Sequence, residues 1–269
     1  MSEDLFVHSQ GLALHCRIEG RTEADAPWVT LSHSLACNLS MFDAQAALLA
    51  PHYRVLRFDT RGHGRSSAPA GPYTLDELAD DLHAVFGALG ITRTHFIGLS
   101  MGGMIGQTYA LQHPGCFASL VLADTTARRP PEAATMWGER IHLAETQGMD
   151  ALVDSTLTRW FTAPFRAARP EVMARIAEGI RATPAAGYAG CCAAIAQVDL
   201  LDRLAEITCP ALVLVGDQDH GTPPEMARQI HAHLPGSELV FIESASHLSN
   251  IEQPEAFNRA LAGFLLPPR

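Results

Sequence analysis

The chain alternates between segments with the apolar spacing of a strand and segments with the spacing of a helix. Residues 12–18 alternate apolar and polar side chains, as a half-buried strand does. Short, mainly apolar runs that predict buried strands occur at residues 28–31, 55–58, 94–97, 119–123, 211–216 and 238–242. Helical spacing and helix-start signals predict helices at residues 74–89, 101–113, 224–234 and 254–265.

The first of these helices has a clear start signal. Thr74-Leu75-Asp76-Glu77 is a capping box, in which the threonine and glutamate side chains bond backbone N–H groups that the first turn leaves free. From there to residue 123 the elements alternate between strand and helix, an order that favours a parallel sheet. The pattern therefore predicts an α/β fold with a mostly parallel, twisted sheet flanked by helices.

Residues 125–204 interrupt this alternation. They contain no strand-like run, and several prolines separate short stretches rich in alanine, arginine and aromatic residues. We expect a helical insertion that covers an active site as a lid. The predicted division is a core of residues 1–124 and 205–269 and a lid of residues 125–204.

Composition narrows the possible partners. The 269 residues carry a net charge of −10, which argues against nucleic acid or an anionic membrane surface as a partner. No stretch approaches the roughly 20 apolar residues of a membrane-spanning helix, and residues 1–4 are acidic with no apolar export segment after them. We expect a cytoplasmic protein that binds a small molecule. The sequence does not predict its oligomeric state.

The metal-binding and redox signals are weak. The six cysteines form no C-x-x-C pair, so reduced thiols are expected. His231 and His233 fall on a predicted helix, where residues two apart point to different faces. We expect neither a metal site nor a cofactor.

Gly98-Leu99-Ser100-Met101-Gly102 lies between a predicted strand and a predicted helix. A serine between two glycines at such a turn is typical of a nucleophile elbow, in which a strained backbone exposes the hydroxyl. The glycines let the strand and the helix approach closely, because neither has a Cβ atom. Chance alone would supply this five-residue pattern in roughly one such chain in ten. The surrounding elements must therefore decide whether Ser100 is a nucleophile.

A serine nucleophile needs a histidine base and an acid that orients the base. Asp219 follows the predicted strand at 211–216, and His247 follows the last predicted strand. We assign them as acid and base, with Asp124 as the rival acid at the end of another strand. Asp217 is expected to bond the backbone of its own turn, and His63 precedes the elbow in the chain.

An oxyanion hole needs two backbone N–H groups aimed at the developing negative charge. Met101 directly follows the nucleophile at a helix N-terminus and is the first predicted donor. The second is expected in the loop Ser32-His33-Ser34-Leu35-Ala36, where Leu35 is the candidate. Many proteins with this arrangement have His-Gly where this chain has His33-Ser34.

Nearly the whole chain resembles the 3-oxoadipate enol-lactonase family of α/β-hydrolases. The resemblance is carried by residues 39–42, 54–64, 71–74, 98–106, 159–162, 187–189, Cys192 and residues 246–254. The motifs Arg159-Trp160-Phe161 and Gly187-Tyr188 are the most discriminating, because they fall in the predicted lid. The resemblance implies hydrolysis of a muconolactone-derived enol-lactone to 3-oxoadipate in bacterial aromatic catabolism.

A substrate that carries a carboxylate needs a cation in so acidic a protein. Arg140 and Arg159 are the candidate cations, although either could instead be a solvated surface residue or part of an ion pair. Trp137 and Trp160 are candidate apolar walls or core residues, and Tyr188 completes the predicted substrate-binding set. His220 beside the acid and Cys37 in the oxyanion loop depart from the family pattern and could indicate a related lactone or ester.

Other functions fit the same residues. A general carboxylesterase, another lactonase or a cofactor-free perhydrolase would use the same three catalytic side chains. A ligand-binding receptor without activity could share the fold. Kinetics on a substrate panel would separate these alternatives.

Overall fold

The computed structural model describes residues 2–130 and 133–266. Its strands form one sheet in the order β1-β2-β4-β3-β5-β6-β7-β8. The strands are β1 (Ser2–Ser9), β2 (Leu12–Gly20), β3 (Trp28–Ser32), β4 (Arg54–Phe58), β5 (Thr94–Leu99), β6 (Phe117–Ala123), β7 (Ala211–Gly216) and β8 (Glu238–Ile242).

The helices outside the segment between β6 and β7 are α1 (Asp43–Leu49), α2 (Leu75–Leu89), α3 (Met101–Gln112), α9 (Pro224–His233), α10 (Ser249–Glu252) and α11 (Pro254–Leu265). The bounds of α2, α3, α9 and α11 are close to those predicted, whereas the sequence pattern did not predict α1 or α10. Between β6 and β7 lie α4 (Ala133–Gln147), α5 (Val153–Trp160), α6 (Ala163–Ala168), α7 (Pro170–Ala182) and α8 (Ala185–Ile195). Short 3-10 helices occur at Leu39–Phe42, Met149–Leu152 and Leu201–Glu206.

The sheet is parallel from β4 through β8, and two antiparallel pairings extend it at one edge. Strand β2 runs antiparallel to both β1 and β4. The hydrophobic pattern did not predict β1, because this edge strand is largely exposed and lacks a clear apolar face. Gln10 and Gly11, both at positive φ, form the two-residue turn that fixes its register with β2.

The core lies on both faces of the central strands. Every residue of β7 is buried, as is nearly all of β5, so these strands read as apolar runs rather than alternations. Helix α3 packs against β3, β5 and β6, and α9 packs against β7 and β8. The carboxyl ends of the parallel strands are thereby fixed at one edge, where parallel sheets present their ligand-binding loops.

Helix α8 crosses the loop after β4 at backbone contact. A Cβ atom on Gly62 would lie 2.5 Å from the Cα of Gly187, and one on Gly71 would lie 2.7 Å from the Cα of Gly190. Real Cβ atoms do not approach backbone so closely, so larger residues here would push α8 away from the loop after β4. This close approach accounts for glycines in three of the motifs that carry the family resemblance, at Gly62, Gly71 and Gly187. Within the described ranges, no helix is both long and apolar enough to cross a membrane.

The capping box at α2 provides a test of local stability. The Thr74 hydroxyl accepts a hydrogen bond from the Glu77 backbone N–H at 3.1 Å, and the Glu77 carboxylate accepts one from the Thr74 backbone N–H at 2.8 Å. Replacing Thr74 with alanine should lower the free energy of unfolding by about 1 kcal/mol, measured by urea denaturation. Thr74→Ser, which keeps the hydroxyl, should lose much less, and equal losses in both variants would contradict the capping role.

Candidate active site

Ser100 occupies a strained turn between β5 and α3. Its φ of 55° and ψ of −113° are uncommon for a residue with a side chain. Its backbone N–H donates to the Ala123 carbonyl at 2.9 Å, and its carbonyl accepts from the Thr125 hydroxyl at 2.7 Å. A Cβ on Gly98 would lie 2.6 Å from the Gly103 nitrogen, and one on Gly102 would collide with the Ser32 carbonyl. The two glycines are therefore required by the turn.

His247 joins Ser100 to Asp219 in one row of hydrogen bonds. Its Nε2 lies 2.9 Å from the Ser100 Oγ, and its Nδ1 lies 2.9 Å from Asp219 Oδ2 and 3.1 Å from Oδ1. In a neutral ring, Nδ1–H donates to the carboxylate and Nε2 accepts from the serine hydroxyl. The three side chains selected from the sequence are therefore brought together with the distances that proton transfer from the serine requires.

The carboxylate of Asp219 has further donors that the sequence analysis missed. The backbone N–H groups of Gly221 and Thr222 donate to Oδ1 at 2.6 and 2.9 Å, and the Thr222 hydroxyl donates to Oδ2 at 2.8 Å. A Cβ on Gly221 would lie 2.6 Å from the Nδ1 of His247, so the acid loop passes tightly over the imidazole. The turn Asp219-His220-Gly221-Thr222 was the available signal, since aspartate often bonds backbone N–H groups two residues on.

Asp124, the rival acid, has other partners. Its oxygens accept from the Gly216 backbone N–H at 2.8 Å and from the Ser249 hydroxyl at 2.5 Å. Complete burial, and then the nearby Asp219 carboxylate, raise the pKa of Asp124 well above its usual value. Asp217 accepts a long bond from the Ala245 N–H at 3.4 Å. Neither carboxylate is hydrogen-bonded to His247 in the described part of the chain.

Two buried histidines hold the loop after β3. His33 Nε2 accepts from the Thr60 backbone N–H at 2.9 Å while its Nδ1 donates to the Ser34 carbonyl at 2.7 Å. His63 Nε2 accepts from the Ala36 backbone N–H at 2.9 Å. Both rings therefore act as neutral acceptors, and burial lowers the pKa of both, that of His63 to about 3.

This loop presents Leu35 to the same cavity as Ser100. Within the described ranges, the backbone N–H groups of Leu35 and Met101 have no hydrogen-bond acceptor. Met101 is the first residue of α3, where the helix dipole adds positive potential. The two predicted oxyanion donors are therefore available.

The helices between β6 and β7 form much of the wall of the cavity above Ser100. All five predicted substrate-binding residues line it, together with apolar side chains that the sequence analysis did not select, among them Met104, Met136, Ile195, Val198 and Met226. Those residues carry no chemical motif, and only the fold brings them together. Cys37 lines a different cavity, and His220 is exposed.

Arg129, Arg140 and Arg159 line the cavity, and the last two have neutral partners. Arg140 donates to the Tyr188 hydroxyl at 2.8 Å and the Thr156 hydroxyl at 2.7 Å. Arg159 donates to the Gly221 carbonyl at 2.9 Å and contacts the Met136 sulfur. Neither is paired with a carboxylate in the part of the chain that the structure describes. Burial, and then repulsion from Arg140, lower the pKa of Arg159, as expected for two cations that share one cavity.

The fold and this geometry define a class of protein. Residues 27–254 match the family of the α/β-hydrolase fold. The chain is 39% identical over 253 residues to a 3-oxoadipate enol-lactonase of Acinetobacter baylyi, covering 94% of this chain and 93% of that protein. The crystal structure of an enol-lactonase from Burkholderia xenovorans LB400 is similar, with a TM-score of 0.94 and 41% identity over 98% of this chain and 100% of the other.

A third relative extends the range of chemistry in this group. A putative carbamate hydrolase of Agrobacterium fabrum is 31% identical over 262 residues, covering 94% of this chain and 98% of that protein.

The chain belongs to the 3-oxoadipate enol-lactonase family of α/β-hydrolases. It is an ester-hydrolysing enzyme.

The buried histidines lead to a prediction about acid stability. Burial lowers the pKa of His63 from 6.5 to about 3. Between these pH values the unfolded state therefore binds more protons than the folded state. Its contribution to stability is complete above about pH 6.5 and is lost as the pH falls from there towards 3. We expect the free energy of unfolding, measured in urea at several pH values, to decrease across this window.

His63→Gln should flatten that dependence, because an amide offers an acceptor and a donor but does not titrate. The exposed His142 provides the control, and His142→Gln should leave the slope unchanged. Equal slopes for the wild type and His63→Gln would show that acid does not act through His63.

Proposed function

We propose that this enzyme opens a small lactone that carries a carboxylate, and that its substrate is 3-oxoadipate enol-lactone. The observation that carries the proposal is the pair Arg140 and Arg159, two cations without carboxylate partners among the described residues that face the cavity beside Ser100. Both arginines are half-buried, and a cation withdrawn from water favours an anionic partner. A carboxylate on the substrate would supply that partner, and the two enol-lactonases among the relatives are named for this kind of substrate.

The proposed chemistry uses a Ser100-His247-Asp219 triad. Ser100 Oγ attacks the lactone carbonyl carbon while His247 Nε2 takes the hydroxyl proton, and Asp219 stabilises the imidazolium that forms. The N–H groups of Leu35 and Met101 bond the oxyanion. One such donor contributes about 3 kcal/mol in related sites.

Collapse of the tetrahedral intermediate breaks the ring C–O bond. The leaving enolate oxygen takes the proton from His247, and the resulting enol ketonises while it is still attached through the acyl group. Water then loses a proton to His247 as it attacks the acyl carbon, and release of Ser100 gives the free acid. Both halves of the opened ester stay in one molecule, because the ester is part of a ring.

We further propose that residues 125–204 act as the lid of a core formed by residues 1–124 and 205–269. This division is supported by the origin of the cavity walls. Trp137, Arg140, Arg159, Trp160 and Tyr188 all come from the segment between β6 and β7, whereas Ser100, Asp219 and His247 come from loops at the ends of strands. Chemistry would reside in the core and substrate selection in the lid.

The direct test is turnover of purified enol-lactone. Wild type should hydrolyse the lactone, and Ser100→Ala should retain only the small residual activity that binding and the oxyanion hole provide, a loss of about 10⁶ in kcat. Consumption of the lactone can be followed by loss of enol absorbance. Hydrolysis of a short neutral aryl ester or a carbamate in clear preference to the lactone would refute the substrate assignment while keeping the triad.

Arg140 allows a test of carboxylate recognition. Arg140→Gln should raise KM for the anionic lactone at least about tenfold, as expected for loss of a charge-assisted hydrogen bond of about 1.5–3 kcal/mol. KM for a neutral aryl ester should change little. Arg128→Gln is the matched control, because Arg128 pairs with Asp199 and Asp202 outside the cavity. An equal rise in KM for both substrates would contradict the role.

A further inference from the structure

A buried carboxylate links the loop that carries His247 to the inserted helices. Glu252, the last residue of α10, is 4% exposed. Its Oε1 accepts from the Thr162 backbone N–H at 3.1 Å and from the Thr162 hydroxyl at 2.5 Å. Its Oε2 accepts from the Ser246 backbone N–H at 2.9 Å. Oε2 also lies 3.4 Å from the Thr162 nitrogen. The carboxylate therefore bonds both the segment between α5 and α6 and the residue before His247.

Two further hydrogen bonds join the same segments. The Ser246 hydroxyl donates to the Arg159 carbonyl at 3.2 Å, and the Leu248 backbone N–H donates to the Trp160 carbonyl at 3.2 Å. Residues 159–162 and 246–252 therefore form one hydrogen-bonded junction. His247 lies within it, between two residues that are both bonded across it.

The first residue of α10 is bonded to the end of the sheet. The Ser249 hydroxyl donates to Asp124, which follows β6 and also accepts from Gly216 at the end of β7. The turn after His247 is thus held to the core through Ser249 and to the inserted helices through Glu252. A displacement of either anchor would move the imidazole relative to Ser100.

We propose that Glu252 is a positioning residue for His247. Its carboxylate fixes the junction so that Nε2 keeps its 2.9 Å distance to the Ser100 Oγ, and the cavity wall that carries Arg159 moves together with the base. The inference rests on the proposed role of His247 as base. A carboxylate suits this place because it accepts on both oxygens, whereas an amide would turn its NH₂ group towards either Thr162 or Ser246, each of which presents a backbone N–H.

Glu252→Gln tests the proposal with two readouts that do not depend on the lactone. These are hydrolysis of a neutral aryl ester and the rate at which a serine-directed fluorophosphonate inactivates the enzyme. In inactivation, the Ser100 Oγ–P bond forms, the P–F bond breaks, and His247 takes the serine proton. A misplaced base should lower kcat and the inactivation rate by about 10- to 100-fold, with KM for the neutral ester nearly unchanged.

Thr162 supplies a conservative pair of variants. Thr162→Val removes the hydroxyl that donates to Glu252 and should lower kcat in the same direction, whereas Thr162→Ser keeps that donor and should retain most of the activity. Thr74→Ala is the control for lost stability, because it weakens α2 without touching the junction. All assays are run well below the thermal midpoint of each variant.

The outcomes distinguish a positioning role of Glu252 from a role in stability alone. If Glu252→Gln melts earlier but keeps the kcat and the inactivation rate of Thr74→Ala, then Glu252 serves stability alone and the proposal is wrong. If Thr162→Ser and Thr162→Val lose activity equally, then the hydroxyl contact with Glu252 does not position the base. If wild type reacts with the fluorophosphonate but leaves the enol-lactone intact, the substrate assignment fails while the role of Glu252 can still be measured.

Discussion

The crowded backbone around Ser100 is the constraint on which the site depends. Gly98 and Gly102 allow β5, α3 and the end of β3 to meet within a distance that no Cβ atom would permit. The same approach brings the loop after β3, with Leu35, to the cavity that Ser100 faces. The packing of three core elements thus maintains the strained φ and ψ of Ser100. The same packing positions the proposed nucleophile and the two proposed oxyanion donors.

The acidic and the basic side chains around Ser100 occupy different positions. The carboxylates near the nucleophile, those of Asp124, Asp219 and Glu252, are buried and accept hydrogen bonds from backbone N–H and hydroxyl groups. They orient the loops around His247. Arg140 and Arg159 instead face the cavity with neutral partners among the described residues. The anionic substrate proposed above would meet these two cations although the protein carries a net charge of −10.

The sequence was sufficient to predict what depends on local pattern. Hydrophobic period and capping signals gave seven of the strands and the main core helices, and chain order selected Ser100, Asp219 and His247. The sequence did not reveal contacts between segments that are far apart in the chain. Thr162 and Glu252 are 90 positions apart, and Gly62 meets Gly187 only through the fold. Neither His33 nor His63 was expected to hold a loop, because accepting a backbone N–H leaves no periodic signal.

Substitutions at Arg140 and Arg159 would disturb different parts of the structure. The Arg159 guanidinium donates to the Gly221 carbonyl, and the Gly221 N–H donates to Asp219, while the Arg159 carbonyl accepts from Ser246 beside the base. Under the proposed roles, a change at Arg159 would therefore alter both the recognition of the substrate charge and the geometry around His247. Arg140 bonds only Tyr188 and Thr156 among the described residues, both within the helices between β6 and β7. A change at Arg140 would therefore alter the proposed substrate recognition without displacing Asp219 or His247.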